Sequence, residues 1–384
     1  MKQLSYFLYL LIICSLFVQV PVYESETSGN TLNLFHVLIA ITFVLTSRYQ
    51  LRLRLAPEFL FILSMVTTSI VAWLIYGMNA RAVLLPILVC SFVCGYRWAS
   101  DFDAKSRAST YSVLFFTVFT AIAIRNLYYF YNLPIIYSRS IEKGDFFYLA
   151  SGGRNIEATL LGMLSVLLVG SRWFVPSLFI SLLSSVLMLS RAGLVAVLIS
   201  IIWWALNSGV GVKKFYIASL VTGICALLIV GTSEKKDELR IVDRFNIQDE
   251  QSLAASRQGR LAMWNEAVGR IKENPLGFGV GNGFLQMNKY VGMHFRENNV
   301  HNIFLELTLD GGVQSLVLLL TSGIVILSTR NRQVIPEVRI AIAYLILGLV
   351  EFIGYDAIGW FFIGASCAIR LTESEVNDTN ALAT

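Results

Sequence analysis

Long apolar runs separated by short polar stretches dominate this chain. Segments rich in Leu, Ile, Val and Phe fall at about residues 4–20, 31–46, 57–76, 82–96, 109–131, 155–170, 173–190, 192–208, 215–232, 312–329, 338–355 and 357–370. A helix needs roughly 20 apolar residues to cross a hydrocarbon core about 30 Å thick. The pattern therefore predicts an all-α integral membrane protein with about twelve transmembrane helices. Its runs are continuous, whereas the strands of a membrane β-barrel alternate apolar and polar residues. Several runs are short, which calls for snorkelling flanks or protein neighbours. The first run is followed by Val20-Pro21-Val22-Tyr23, which lacks the small residues of a signal-peptide cleavage site, so it is expected to remain as the first span.

One polar interruption is far longer than the rest. It divides the chain into a nine-span region at 1–232, a large loop at 233–311, and a three-span region with a tail at 312–384. Within the loop, Gln258 to Glu273 reads as one amphipathic helix with Leu261, Trp264, Val268 and Ile271 on one face, expected to lie along the membrane surface. Pro275 ends it. Gly277, Gly279, Gly281 and Gly283 follow in alternation, a flexible turn that lets backbone approach a neighbour closely.

Composition agrees with lipid as the solvent: 56% of the 384 residues are hydrophobic and 14% charged, against roughly 25% charged in soluble domains. The net charge of +5 is modest, and its carriers sit in connectors, so no nucleic-acid partner is indicated. Arg48, Arg52, Arg54, Arg97, Lys105, Arg107, Arg172, Lys213, Lys214, Arg330, Arg332 and Arg339 all fall on one side if the spans alternate. Positive connectors stay in the cytoplasm. Both termini are then cytoplasmic and the large loop is extracytoplasmic. The five cysteines, Cys14, Cys90, Cys94, Cys225 and Cys367, lie in apolar runs and imply neither a disulfide framework nor a metal site.

The candidates for chemistry are cationic. Arg191, in Leu189-Ser190-Arg191-Ala192-Gly193, sits at a turn between two spans, where an arginine is costly and either functional or snorkelling to head groups. Arg257 and Arg260 lie one turn apart on the loop helix. Arg125 and Arg154 either join an electropositive site or anchor their helices at the interface. His301 opens His301-Asn302-Ile303-Phe304-Leu305-Glu306 just before the tenth span, where it either serves as a base or caps the following helix. His36 lies in an apolar run and reads as packed; His294 is a second loop histidine. Glu24 with Glu26, and Asp101 with Asp103, are acid pairs too small to specify a metal site. Glu157, Glu351 and Asp356 would suit a conduction path in a transporter for polysaccharide or polyprenyl lipid, but that reading leaves the loop residues without a task.

Four segments together resemble the O-antigen ligase and polymerase superfamily of bacterial surface polysaccharide assembly. They are Ser190-Arg191-Ala192-Gly193, Gly259-Arg260-Leu261-Ala262-Met263-Trp264, Asn274-Pro275-Leu276-Gly277 with its glycines, and His301-Asn302 ahead of Gly311-Gly312. The resemblance implies a fold of the GT-C type, with the large loop in the periplasm and the chain in the bacterial inner membrane. It implies a glycosyltransferase that needs no cofactor or metal. The donor would be a glycan on undecaprenyl diphosphate, and the acceptor either another lipid-linked repeat unit or the lipid A core. Membrane lipids and a chain-length regulator are the further partners it suggests. By the same resemblance, Arg191 and Arg260 clamp the diphosphate, with Arg257, Arg125, Arg154 and Asn302 in support, and His301 takes the proton of the attacking hydroxyl. Guanidinium forks suit phosphate oxygens, and an imidazole, ordinarily near pKa ~6.5, suits a neutral-pH base. Ligases of the superfamily usually carry a small or β-branched residue four positions after a glycine that aligns with Gly312. Leu316 stands there instead, which favours a polymerase over an O-antigen ligase.

Overall fold

A computed structural model of the protein describes residues 2–24, 31–46, 56–132, 148–150, 153–188, 190–207, 250–291, 300–329, 335–349 and 355–382. The elements are helices α1 (Lys2–Phe17), α2 (Leu34–Thr46), α3 (Pro57–Tyr76), α4 (Leu84–Asp101), α5 (Ala104–Asn132), α6 (Gly153–Leu167), α7 (Phe174–Leu187), α8 (Arg191–Asn207), α9 (Glu250–Glu273), α10 (Gly283–Val291), α11 (Ile303–Ser328), α12 (Pro336–Leu347) and α13 (Ala357–Leu382). A small antiparallel hairpin of β1 (Pro21–Glu24) and β2 (Thr31–Asn33) departs from the all-helical expectation. Four helical stretches are long and apolar enough to cross a membrane: Pro57–Tyr76, Ala80–Asp101, Ala104–Tyr128 and Ile303–Ser328. Several shorter apolar helices accompany them, as expected of a helical membrane protein.

Most helix limits follow the apolar pattern, and the departures have local causes. The run at 31–46 yields only 13 helical residues, because Thr31–Asn33 is taken by the hairpin. At 1.5 Å per residue that helix reaches about 20 Å, short of a full crossing. Helix α3 begins at Pro57, whose fixed φ and missing N–H suit the first helical position. It ends at Gly77, where φ is 82° and the N–H returns to the Trp73 carbonyl. Helix α11 starts at Ile303 rather than 312, so the last residues assigned to the large loop are helical. The run at 215–232, and Cys225 within it, lies outside the described residues.

The chain forms two compact units, each assembled from separated segments. The first comprises 1–38, 104–253 and 333–339; the second comprises 39–103, 254–332 and 340–384. In the first, α6 and α8 touch through small residues: a Cβ on Gly162 would come within 2.3 Å of the Ala196 Cβ, and one on Gly193 within 2.7 Å of the Ala158 Cβ. Small residues let helices approach where lipid tails remove the hydrophobic drive. The hydroxyls of Ser165, Ser177 and Ser181 bond one another in the same interior. In the second unit α4 and α13 cross still more closely, since a Cβ on Gly95 would fall 1.8 Å from the Phe361 carbonyl oxygen, and one on Gly364 2.1 Å from that of Phe92. Ala99, Ala365 and Ala368 continue this contact.

The second unit has a definite polarity along α3. Near its Pro57 end, buried Glu58 accepts hydrogen bonds of 2.9 and 3.0 Å from Arg370 of α13. At its other end, about 30 Å away along 20 residues, lie Gly77, the glycine-rich turn and Asn282, whose amide donates to the Gly77 carbonyl. The connector between α3 and α4 therefore shares an end of the unit with the part of the large loop that carries the glycines.

Candidate functional site

The glycine turn and the Gly311-Gly312 pair form one joint. Helix α11 is interrupted at Gly312, where φ is 80°, and an interruption frees backbone groups that must find partners away from water. The turn supplies them: Phe278 N–H donates to the Leu309 carbonyl at 2.8 Å, Gly279 N–H to the Asp310 carbonyl at 2.8 Å, and Val313 N–H to the Pro275 carbonyl at 2.8 Å. Gly277 has φ 90°, and a Cβ there would sit 2.5 Å from both the Asp310 oxygen and the Gly312 nitrogen. The expectation of close approach holds, but the turn is fastened rather than flexible, and what it approaches is α11 of the same unit.

Asp310 is the pin of this joint. Its buried carboxylate accepts hydrogen bonds from Gly283 N–H (2.8 Å), Gly281 N–H (3.1 Å) and the Tyr355 hydroxyl (2.6 Å). Charge-assisted bonds of this kind are the strong ones. Around it, Arg81, Glu306, Tyr355, Phe284 and Val300 line a tightly closed recess, with the Arg81 guanidinium 5.8 Å from the centre of the Phe284 ring. An acid inside an apolar run is a signal that could have singled out Asp310. Arg81 carried no such signal, because it reads as one more charge in a connector.

His301 follows Val300, one of the residues that line this recess, in the chain. Its φ of 53° makes it the one described residue other than glycine with positive φ, a backbone state that costs an L-residue about 1–2 kcal/mol. Such strain persists where surrounding contacts over-determine it, and here they are explicit. Asn302 caps α11, its side-chain oxygen accepting from Phe304 N–H (3.0 Å) and Leu305 N–H (3.1 Å), while Ile303 N–H donates to the Gly348 carbonyl at 2.7 Å. Asn302 thus holds the backbone around His301.

Arg260 is brought to the same region by its helix. Trp264, four residues on and so on the same face of α9, donates its indole N–H to the Val300 carbonyl at 3.0 Å. Met263 and Ala267 are buried with Phe278, Phe284, Met287, Val300 and Leu309, and Trp264 and Ile271 pack against them. The expected face of α9 needs correction: Leu261 is 53% exposed and Val268 38% exposed. The inward stripe runs through 263, 267 and 271 at a spacing of four, because the core it meets is protein.

Arg191, Arg154 and Arg257 are placed by their backbones alone, at the start of α8, in the first turn of α6 and within α9; their side chains lie outside those described. At the Arg191 turn, Gly193 N–H donates to the Ser190 hydroxyl at 3.1 Å, and Ser190 N–H to the Ser185 carbonyl at 2.9 Å. Ser190 and Gly193 therefore set the backbone that presents Arg191. Arg125 is buried and pairs with Glu157 at 2.5 Å, so its charge is balanced within the first unit. That pairing also accounts for Glu157, one of the three acids suited to a conduction path. Asp356 accepts from Ile358 N–H at 3.2 Å, while Glu351, Glu26 and His294 lie outside the described residues. His36 accepts from Asn33 N–H at 3.0 Å. Among the described residues no three of His, Cys, Asp and Glu converge as metal ligands.

Comparison with known families now bears on this geometry. Residues 146–320 match the model of a family described as O-antigen ligase. The match covers a little under half of the chain and supports the O-antigen ligase and polymerase superfamily. The matched segment takes in Arg154, Arg191, Arg257, Arg260, His301 and Asn302, together with the glycine joint, and leaves Arg125 and Arg81 outside it. None of the curated proteins compared with the chain matches it.

A consequence for stability follows within the matched segment. Asp310→Ala would strand two buried N–H groups and a tyrosine hydroxyl, each costing about 1–3 kcal/mol when unsatisfied. Thermal unfolding in detergent should show the variant melting well below wild type, with Asp310→Asn intermediate. Identical melting of Asp310→Ala and wild type would show that the joint does not need its pin.

Proposed function

We propose that the protein is a surface-polysaccharide polymerase of the bacterial inner membrane, moving a glycan from undecaprenyl diphosphate to a hydroxyl of a second lipid-linked repeat unit on the periplasmic face. The observation that carries this reading is the O-antigen ligase match at 146–320, within which Trp264, one turn from Arg260 on α9, donates to the carbonyl of Val300, the residue preceding His301. Transfer from a diphosphate carrier needs no nucleotide: the departing phosphates need cations and the attacking hydroxyl needs a base. Arg260 and, by the resemblance, Arg191 serve the phosphates; His301 serves the hydroxyl. Attachment of the glycan to lipid A core, as in an O-antigen ligase, is the second reading, favoured by the description of the matched family; Leu316 favours the first.

Deleting the gene and separating lipopolysaccharide on a gel discriminates the two. Loss of a polymerase of O-antigen leaves core bearing a single repeat, and loss of a ligase leaves bare core. An unchanged ladder, with normal polysaccharide of every other class, would refute both.

The reading also places the loop outside the cytoplasm. In a variant lacking native thiols, a cysteine at Gln286 should react with an impermeant thiol reagent in intact cells, and one at Ser106 should not. Labelling of Ser106→Cys with protection of Gln286→Cys would put the site on the wrong face.

A further inference from the structure

Beside the recess, the second unit has an open groove of about 410 Å³ between the end of α3 and the start of α10. Tyr76, Met78, Asn79, Asn282, Leu285 and Gln286 line it. Its amides are held in place: Asn79 donates to the Asn282 side-chain oxygen, Asn282 donates to the Gly77 carbonyl at 3.1 Å, and the Asn79 oxygen accepts from Arg81 N–H at 2.7 Å. The Gln286 N–H donates to the Asn282 carbonyl at 3.0 Å, and its side-chain amide, which lines the groove, has no hydrogen-bond partner among the described residues. Met78 is 73% exposed, and Leu285 and Tyr76 are each 44% exposed. The Tyr76 ring is steadied by Phe278, at 5.6 Å between centroids.

The chemistry of this lining narrows its occupant. The volume falls in the range of small-ligand sites, which combine apolar walls with a few convergent polar groups. None of the lining residues is charged, so a phosphate would find no cation there. A lipid tail would cover amides without giving them partners, at a cost in desolvation. Carboxamides both donate and accept, which matches hydroxyl groups that do the same. The exposed apolar side chains and the tyrosine ring can take the C–H face of a pyranose. We infer that the groove is a subsite for a neutral sugar of the glycan. The identity of the sugar's carrier rests on the proposed function. The site itself does not depend on which acceptor is used. Asn79 and Asn282 form the frame, and Gln286 makes the adjustable contact. The groove adjoins the Arg81 recess through Asn79 and Asn282, so a glycan held there lies alongside the part of the chain that presents Val300 and His301.

The test uses the full-length protein in detergent and, as probe, the oligosaccharide repeat unit released by mild acid from the producing strain's own lipid-linked intermediates. The probe should slow thiol labelling of Gln286→Cys several-fold and leave Leu261→Cys, on the exposed side of α9, unaffected. Gln286→Ala should raise KM for the full repeat-unit donor about 3- to 10-fold, the worth of one neutral hydrogen bond. It should leave kcat unchanged, and a donor truncated to a single sugar should be handled as by wild type. Equal labelling with and without the oligosaccharide would overturn the inference, as would protection by undecaprenyl phosphate alone. Protection of Gln286→Cys by the oligosaccharide, together with no glycan transfer by the wild-type protein, would uphold the sugar site and refute the polymerase.

Discussion

Replacing His301 with asparagine is expected to abolish glycan transfer, by about 10²- to 10⁴-fold for a positioned general base, while the protein stays folded and at normal amounts. The substitution is chosen from the backbone. With φ at 53°, position 301 needs a residue that tolerates the left-handed region, and asparagine does so better than alanine or glutamine. Glycine tolerates it more readily still. His301→Asn and His301→Gly together therefore separate the imidazole from the turn it occupies. Alanine would confound them, since strain of about 1–2 kcal/mol falls on the same backbone that Asn302 and Gly348 hold. The decisive measurement is single-turnover transfer by purified protein at matched occupancy with donor. Near wild-type rates in both variants would mean that His301 only shapes the entry into α11, and that positioning by the arginines carries the chemistry.

The second large effect is expected at Arg260. Loss of a donor aimed at charge that develops in the transition state typically costs 10²- to 10³-fold in rate, and Arg260→Ala should fall in that range at matched amounts of folded protein. Arg260→Lys should recover little, because an ammonium cannot reproduce the two parallel hydrogen bonds of a guanidinium to phosphate oxygens. Arg191→Lys should behave alike if the assignment drawn from the family resemblance holds. Arg125 offers a contrast, since its partner is Glu157 at 2.5 Å. Removing one member of a buried ion pair leaves the other uncompensated, at a cost of about 3–5 kcal/mol, so Arg125→Ala should reduce the amount of protein. A wild-type polymer ladder from Arg260→Lys would reduce Arg260 to a charge at the membrane boundary.

These two sites were legible in different ways. The resemblance marked Arg260 and His301 through short runs of residues, yet the reasons for the surrounding motif residues lie in contacts. Trp264 matters because its indole reaches Val300 across 36 residues of chain. The Asn274–Gly277 segment and Gly311-Gly312 look like separate turns in sequence, and they are two halves of one hydrogen-bonded joint. Asp310 drew no attention in sequence because it lay near the expected start of a span, although it anchors the glycine turn from within α11.

By itself the sequence determined the helical, membrane-spanning character of the chain and the positions of most long apolar helices, and it supplied Arg191, Arg260 and His301 as candidates for the proposed chemistry. Hydropathy and glycine or proline placement are local properties, and they act over the length of one element. Tertiary structure alone decided which face of α9 turns inward, because Met263, Ala267 and Ile271 win burial only when a core from distant segments stands opposite them. It also decided that the 77–81 connector would meet the glycine turn and open an amide-lined groove, a juxtaposition of segments some 200 residues apart. No local pattern encodes such a meeting; it follows from how the helices of the second unit pack and where their freed backbone groups find partners.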